Sequence, residues 1–208
     1  MGLVYYRRMK QSPKWIIGID EAGRGPLAGP VAVGVVCVPR GFKFSSIKAV
    51  VKDSKQLSES KREEVFKEVR ALQKEGKLRY VVSMVSAGVI DRIGITKAVA
   101  LAIRRGLKKI SPPPRSTFVK LDGLLRAPDD FVHQKTIVRG DRTEMEIALA
   151  SIMAKVARDR YMKRMAARYE GYGFEQHKGY GTKAHRNALK RHRLCGIHRV
   201  TFTKNLQR

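Results

Sequence analysis

The residues of this chain with the most chemical promise are acids placed where apolar segments end. Asp20-Glu21 closes Trp15-Ile16-Ile17-Gly18-Ile19 and precedes a glycine turn. Asp122 closes Phe118-Val119-Lys120-Leu121 and is followed by Gly123; Asp141 follows Ile137-Val138-Arg139-Gly140 and precedes a long helical segment. Carboxyl clusters at the ends of neighbouring strands would converge on one spot. Carboxylates crowded together repel, and the usual remedy is a hard divalent cation, Mg²⁺ or Mn²⁺, held by oxygen ligands. Two such ions about 3.5–4 Å apart can stabilise the attacking and leaving oxygens of an in-line phosphoryl displacement. Each acid also has a plainer reading. Asp141 could cap a helix, Asp122-Gly123 is a common turn dipeptide, and Asp20-Glu21 could be a solvated strand end. Convergence decides between the readings, and periodicity does not prove it.

The glycine turn Gly23-Arg24-Gly25-Pro26-Leu27-Ala28-Gly29-Pro30 lacks a following Gly-Lys-Ser/Thr, so it is no Walker A loop. Its prolines argue against a dinucleotide fingerprint, which must open a helix. Glycines flanking an arginine let the backbone approach a phosphate or sugar closely; a tight hairpin with no ligand is the alternative.

These acids stand out because the chain is so basic: 44 Lys+Arg against 18 Asp+Glu in 208 residues, a net charge of +26. Such a charge repels itself and implies a polyanionic partner, nucleic acid first, with ribosome-type binding or acidic membrane surfaces behind. At 43% hydrophobic the chain can bury a core, which excludes wholesale disorder. The length suits one domain, or one domain with an appendage. No run of about 18 uncharged apolar residues occurs, and the N-terminus lacks a signal-peptide apolar region; a cytosolic protein is expected. Cys37 and Cys195 form no CxxC pair, so no disulfide framework or zinc knuckle is indicated. Residues 155–208 hold 15 basic and 3 acidic residues, making them more than twice as positive per residue as the rest, yet they carry Met162, Leu189, Ile197 and Phe202. They read as folded structure with a basic face.

The elements that must position the acids follow from pattern. Trp15 to Asp20 and Val31 to Val38 read as strands around the glycine turn. Ser60 with Glu63 forms a capping box for a helix with Val65, Phe66, Val69 and Leu72 on one face, ended by Gly76. Leu78 to Val85 reads as a strand, Thr96 to Lys109 as a helix, and Thr117 to Asp122 as a strand. Pro112-Pro113-Pro114 marks a connection. A long helix runs from about Glu144 to Tyr169, and its Ala148, Ala150, Ser151 and Ala154 imply close packing against it. Strands alternating with helices give an α/β domain with a mixed sheet, and the residues after Gly171 form a helical, basic extension.

With these residues in place, the chain resembles the ribonuclease HII family, the type 2 ribonucleases H. The resemblance starts with Gly18-Ile19-Asp20-Glu21-Ala22-Gly23-Arg24-Gly25-Pro26-Leu27-Ala28-Gly29-Pro30-Val31, the most specific block. It continues through Asp53-Ser54-Lys55-Gln56-Leu57-Ser58, Leu121-Asp122-Gly123, Gly140-Asp141 and the run from Ala150 to Asp159. His177-Lys178-Gly179-Tyr180-Gly181-Thr182 and Ile197-His198-Arg199 with Thr201-Phe202 complete it, in family order over about residues 15 to 203.

The resemblance implies an RNase H-like fold, a central mixed β-sheet flanked by helices, with residues 1–170 as catalytic domain and 171–208 as a basic C-terminal extension that helps bind substrate. It implies hydrolysis of RNA in RNA–DNA hybrids. It also implies nicking 5′ of single ribonucleotides embedded in duplex DNA, leaving 3′-hydroxyl and 5′-phosphate ends. Carried over by position, Asp20, Glu21, Asp122 and Asp141 are the catalytic set and hold Mg²⁺ or Mn²⁺, two ions during catalysis. Gly23, Arg24 and Gly25 would contact the ribonucleotide's 2′-hydroxyl and nearby backbone, and Tyr180 would stack at the sugar of the following deoxynucleotide. Lys55 and Ser151 would meet backbone phosphates. No membrane partner is implied, and a monomer is expected.

The physics is compatible with these roles. The 2′-hydroxyl is donor and acceptor at once and distinguishes a ribonucleotide from its neighbours. Metal chemistry needs no Ser–His or Cys–His pair, so the five histidines and Cys195 read as packing or phosphate contacts. A noncatalytic basic protein binding RNA or hybrids is the alternative, but it gains nothing from clustered anions beside a phosphate backbone. A DNA-directed two-metal nuclease would leave Gly23-Arg24-Gly25 and Tyr180 without a purpose. His198-Arg199-Val200-Thr201-Phe202 and Leu194-Cys195-Gly196 depart from the family's more usual pattern, which touches the extension's contacts and not the acids. The related ribonuclease HIII carries Glu where Asp141 stands and has a large N-terminal domain; the 19 residues before Asp20 disfavour that subtype.

Overall fold

The computed structural model describes residues 12–47 and 57–206. Lys55, with the rest of Asp53-Ser54-Lys55-Gln56, lies outside the described residues.

Five strands form one mixed sheet: β1 (Trp15–Ala22), β2 (Val31–Pro39), β3 (Arg79–Val85), β4 (Thr117–Asp122) and β5 (Gln134–Ile137). Their order is β3-β2-β1-β4-β5. β1 to β3 form an antiparallel meander, while β4 runs parallel to β1 and β5 parallel to β4. Helices cover both faces, which is why β2 is apolar on both sides and buried along nearly its whole length.

Side-chain alternation sorts the core into two layers. Ile17, Ile19, Val33, Val35, Val119 and Leu121 face α3 (Ile95–Ile110), which offers Val99, Ala102, Ile103 and Leu107. Ile16, Val36 and Val38 face α1 (Glu59–Lys74) and α5 (Met145–Arg168). The expected close packing of α5 is real. A Cβ on Gly18 would lie 2.1 Å from the Glu146 backbone, and one on Gly34 would lie 2.1 Å from the Ala150 carbonyl oxygen. Two strand glycines thus let the helix settle onto the sheet backbone.

A third apolar cluster (Ala28, Met162, Phe174, Leu189 and Ile197 among its members) ties the C-terminal segment to the end of α5 and the glycine turn. That segment holds α6 (Phe174–His177), α7 (Lys183–His192) and α8 (Val200–Thr203).

Four details differ from the sequence expectation. The α1 cap is Ser58, whose side chain accepts from the Lys61 N–H, and Ser60 lies in the first turn with its hydroxyl 2.9 Å from that of Ser58. The helix starts two residues early, on a serine followed three positions on by Lys61 rather than Glu, so the expected Ser60–Glu63 box does not form the cap. β1 runs on to Ala22, so Asp20 and Glu21 sit within the strand, paired with Gly34 and Val33. β5 ends at Ile137, and Asp141 belongs to the short helix α4 (Gly140–Thr143) rather than to a strand end. The seven-residue α2 (Ala87–Ile93) was too short to show a period.

Candidate active site

Strand register brings two of the acids together. Ile19 pairs with Leu121 across parallel β1 and β4, and both point into the α3 layer. The next residues, Asp20 and Asp122, therefore lie side by side on the opposite face, under α5. Ser151 of α5 hydrogen-bonds the Asp20 carboxylate, and Asp20 Oδ1 also accepts from the Glu21 N–H at 2.7 Å. Asp122 Oδ1 accepts from the Gly140 N–H at 2.8 Å, which fastens α4 to the end of β4. Asp141, the next residue, is 0% exposed. Behind them Lys120 pairs with Glu144 (2.7 Å) and Glu146 (3.0 Å), pinning the start of α5 to β4.

The carboxylates feel one another. Burial, with the negative charges of Glu21 and Asp122, pushes Asp20 up to about 8; the Ser151 hydrogen bond pulls the other way. Burial also raises Glu21, Asp122 adds to it, and Arg24 at 3.6 Å opposes it. Such a set is an oxygen-only, anion-rich pit, and a hard divalent cation is the group that relieves its repulsion. Among the described residues no three His, Cys, Asp or Glu side chains are already gathered as a metal-holding group. Register and hydrogen bonds place Asp20 and Asp122 as neighbours without drawing them onto one point. In donor chemistry the residues fit Mg²⁺ or Mn²⁺.

Beside the acids opens a cleft of about 390 Å³ lined by Glu21, Gly23, Arg24, Gly25, Ser151 and Tyr180. Every expected substrate-contacting residue that the structure describes therefore lies on one wall or another of the same space. Arg62 and Lys155 line it too, and the sequence reading did not single them out. Ser151, expected at a phosphate, also binds Asp20, which gives its hydroxyl a task among the acids.

The glycine turn owes its shape to two arginines that the sequence reading left without a role. Arg158 donates to Pro30 O (2.9 Å) and Ala28 O (3.1 Å). Arg199 donates to Gly29 O (3.0 Å), Arg24 O (2.9 Å) and Gly23 O (2.6 Å). Gly23 has φ +87°, and a Cβ there would lie 2.0 Å from Arg158 Nε, so both its conformation and its contact require glycine. Arg158 lies on a helix, where an arginine ordinarily reads as solvated, and Arg199 precedes a four-residue helix, so nothing local in the sequence marks either as buried.

Tyr180 is 44% exposed, its ring 5.8 Å from the Arg158 guanidinium. Its segment is stitched to the glycine turn because Leu27 N and Ala28 N both donate to Gly179 O, at 2.9 and 3.3 Å. His185 and His198 are buried and pack, as expected. Cys195 N donates to His198 Nδ1 at 2.9 Å, so His198 carries its proton on Nε2, 3.0 Å from His185 Nε2. His185 Nδ1 in turn donates to the Tyr180 carbonyl at 2.9 Å. Cys195 is a half-buried thiol beside His198.

A mixed sheet with acids on adjacent strands, under a helix and beside a basic-rimmed cleft, defines the class: a hydrolase of the ribonuclease H type. The ribonuclease HII family model matches residues 17–205. The chain is 47% identical over 188 residues to the ribonuclease HII of Endomicrobium trichonymphae, covering 90% of this chain and 85% of that one. Its fold is similar to that in the PCNA:RNase HII complex from Archaeoglobus fulgidus (TM-score 0.75, 26% identity, 93% and 97% of the two chains). It is also similar in fold to Bst-RNase HIII, solved in complex with Mn²⁺ (TM-score 0.70, 18% identity, 98% and 72%). The chain belongs to the ribonuclease HII family. It is an endonuclease of the ribonuclease H kind, acting on RNA–DNA hybrids. Among the described residues no helix is long and apolar enough to cross a membrane.

Proposed function

We propose that this enzyme, besides cutting RNA in hybrids, nicks duplex DNA 5′ of a single embedded ribonucleotide, leaving 3′-hydroxyl and 5′-phosphate ends. Asp20, Glu21, Asp122 and Asp141 would hold two Mg²⁺ or Mn²⁺ ions. When bound, these ions supply water activation and stabilisation of charge on the reacting phosphate. The observation that carries the reading is the juxtaposition of the buried Asp20, close to the charges of Glu21 and Asp122, with the cleft that Gly23, Arg24, Gly25 and Tyr180 share.

The chain's own residues do the rest. Ser151 orients Asp20, and the Gly140 amide orients Asp122. The backbone of Gly23-Arg24-Gly25 meets the 2′-hydroxyl, which deoxynucleotides lack. Tyr180, fixed through its carbonyl, sets its ring against the sugar of the next deoxynucleotide and marks the RNA-to-DNA junction. Lys155 and Arg62 offer cations to the duplex backbone at the cleft rim, and Lys55 is proposed for the same task. Residues 1–170 act as the catalytic domain and 171–208 as a substrate-binding extension, in a cytoplasmic monomer. Basic residues densest in that extension supply affinity that depends on salt and not on sequence.

The test is cleavage of a duplex carrying one ribonucleotide, with Mg²⁺, with Mn²⁺ and with EDTA. A nick on the 5′ side in either metal, absent in EDTA, is expected. No metal-dependent nick at that position sinks the proposal.

A further inference from the structure

We propose that Arg199 is a positioning residue for substrate recognition: it turns the backbone N–H groups of Arg24 and Gly25 outward into the cleft. The inference rests on the reading above, that this turn meets the ribonucleotide.

A trans peptide is planar, with its C=O and N–H pointing opposite ways, and no peptide among the described residues is cis. Arg199 Nη2 holds the Gly23 carbonyl and Nη1 holds the Arg24 carbonyl, both from behind the turn. The partner N–H groups on those two peptides belong to Arg24 and Gly25, so they face away from Arg199. Neither finds an acceptor among the described residues, and Arg24 and Gly25 are exposed and line the cleft. Two free, neighbouring donors on a cleft wall seek an oxygen, a ribose hydroxyl or a phosphate oxygen.

Arg199 is built to stay put. It is 0% exposed, and its own N–H donates to Leu27 O at 2.8 Å. Asp91 of α2 accepts from the next two amides, Val200 N (2.9 Å) and Thr201 N (3.0 Å), and the guanidinium lies 5.1 Å from the Phe202 ring. Its donors go to carbonyls, as do Nε and Nη2 of Arg158 beside it, so two buried positive charges stand behind the turn. In a low-dielectric interior those charges polarise the peptides in front and strengthen the outward N–H groups as donors. Lysine cannot reproduce this, because an ammonium is a point charge while the guanidinium is a fixed fork reaching three carbonyls.

Two measurements test the inference. Affinities are measured in EDTA for a single-ribonucleotide duplex and an all-DNA duplex of the same sequence, for the wild type and Arg199→Lys. The wild type should prefer the ribonucleotide, and in a folded Arg199→Lys that preference should shrink by roughly tenfold, the scale of a buried charged hydrogen-bond set. A preference that survives intact in the folded variant overturns the positioning role alone. Equal binding of both duplexes by the wild type overturns the reading of the turn, and this inference with it. In case the variant melts below the assay temperature, the amide signals of Arg24 and Gly25 in the wild type are followed by NMR. Both should shift and gain protection from exchange with the ribonucleotide duplex and not with the all-DNA one; unmoved signals overturn the inference.

Discussion

Asp122 and Gly140 are joined by a hydrogen bond, Oδ1 accepting from the backbone N–H at 2.8 Å. This bond locks the end of a central strand to the short helix that carries Asp141, so two acids 19 positions apart in sequence are held by one contact. It also separates structure from chemistry at Asp122. In Asp122→Asn the amide oxygen can still accept from Gly140, and only the charge is lost. Cleavage should fall about 1,000-fold or more, since several kcal/mol of charge stabilisation depend on a cation held there. Duplex binding and the melting temperature should change little. Unimpaired turnover in this variant refutes the metal role.

The position of Asp20 makes cation binding depend on pH. Burial and its acidic neighbours push it up to about 8, so near neutrality the metal-free site keeps a proton that a cation must displace. Apparent affinity for Mg²⁺ or Mn²⁺ should rise with pH, by at most tenfold per unit, and level off above about 8. Ser151→Ala removes a hydrogen bond that favours the charged form, so the whole profile should move to higher pH. Titration calorimetry at several pH values checks both; a flat profile excludes Asp20 as the titrating ligand.

Metal-free stability should show two opposed slopes. Asp20 titrates at about 8 in the fold against an ordinary 3.8, so its contribution is complete below pH 3.8 and lost as pH rises through 8. His198, buried and neutral, is pushed down to about 4 against 6.5, so its contribution is complete above 6.5 and lost as pH falls through 4. Burial lowers His185 as well, in the same sense. Between about pH 4 and 6.5 Asp20 and His198 largely cancel. Asp20→Asn removes one side of the balance, and its urea midpoint in EDTA should fall more steeply than the wild type's as pH drops from 6.5 to 4. Parallel curves for the two proteins would rule this out.

How much of this was legible beforehand depends on whether the physics was local. Asp20, Asp122 and their strands announced themselves, because an acid ending an apolar run in so basic a chain is a local anomaly. Their pairing was not visible, since it depends on the β1–β4 register across about 100 residues of intervening chain. Asp141 looked like a strand-end or cap residue because four-residue helices carry no period. Arg158 and Arg199 stayed hidden for a related reason. A buried arginine and a solvated one have the same sequence context, and only the carbonyls they meet, some 130 and 175 positions away, tell them apart. Small residues on α5 predicted close packing, yet not that Gly18 and Gly34 were its counterpart.

Tyr180 should separate two substrates. Its ring is half-exposed at the cleft while its carbonyl is held by His185 and its segment by the glycine turn. Tyr180→Ala removes the ring and leaves those backbone contacts, so the fold should persist. Losing base- or sugar-face stacking is worth about 1–3 kcal/mol, which should slow single-ribonucleotide cleavage by roughly 10- to 100-fold. Continuous hybrids, where no junction is required, should suffer less. Equal losses on both substrates, in side-by-side steady-state assays, would count against junction sensing.

Gly18 should prove as necessary as any acid, through packing alone. An added Cβ would meet the Glu146 carbonyl carbon and oxygen at 2.1 Å and the Ile147 nitrogen at 2.5 Å. These are backbone atoms of a helix, so no flexible side-chain end can give way. Gly18→Ala must lift α5 from β1, and overpacking of this kind costs about 1–3 kcal/mol or more. The melting temperature should drop by roughly 2–12 °C. Because Ser151 rides on α5, the same shift pulls it from Asp20, and activity should fall further than stability alone explains. Gly88→Ala, in α2 with nothing within 4 Å of the new Cβ, is the control and should be neutral or slightly stabilising. If Gly18→Ala melts with the wild type, α5 does not rest on β1 as closely as Gly18 allows.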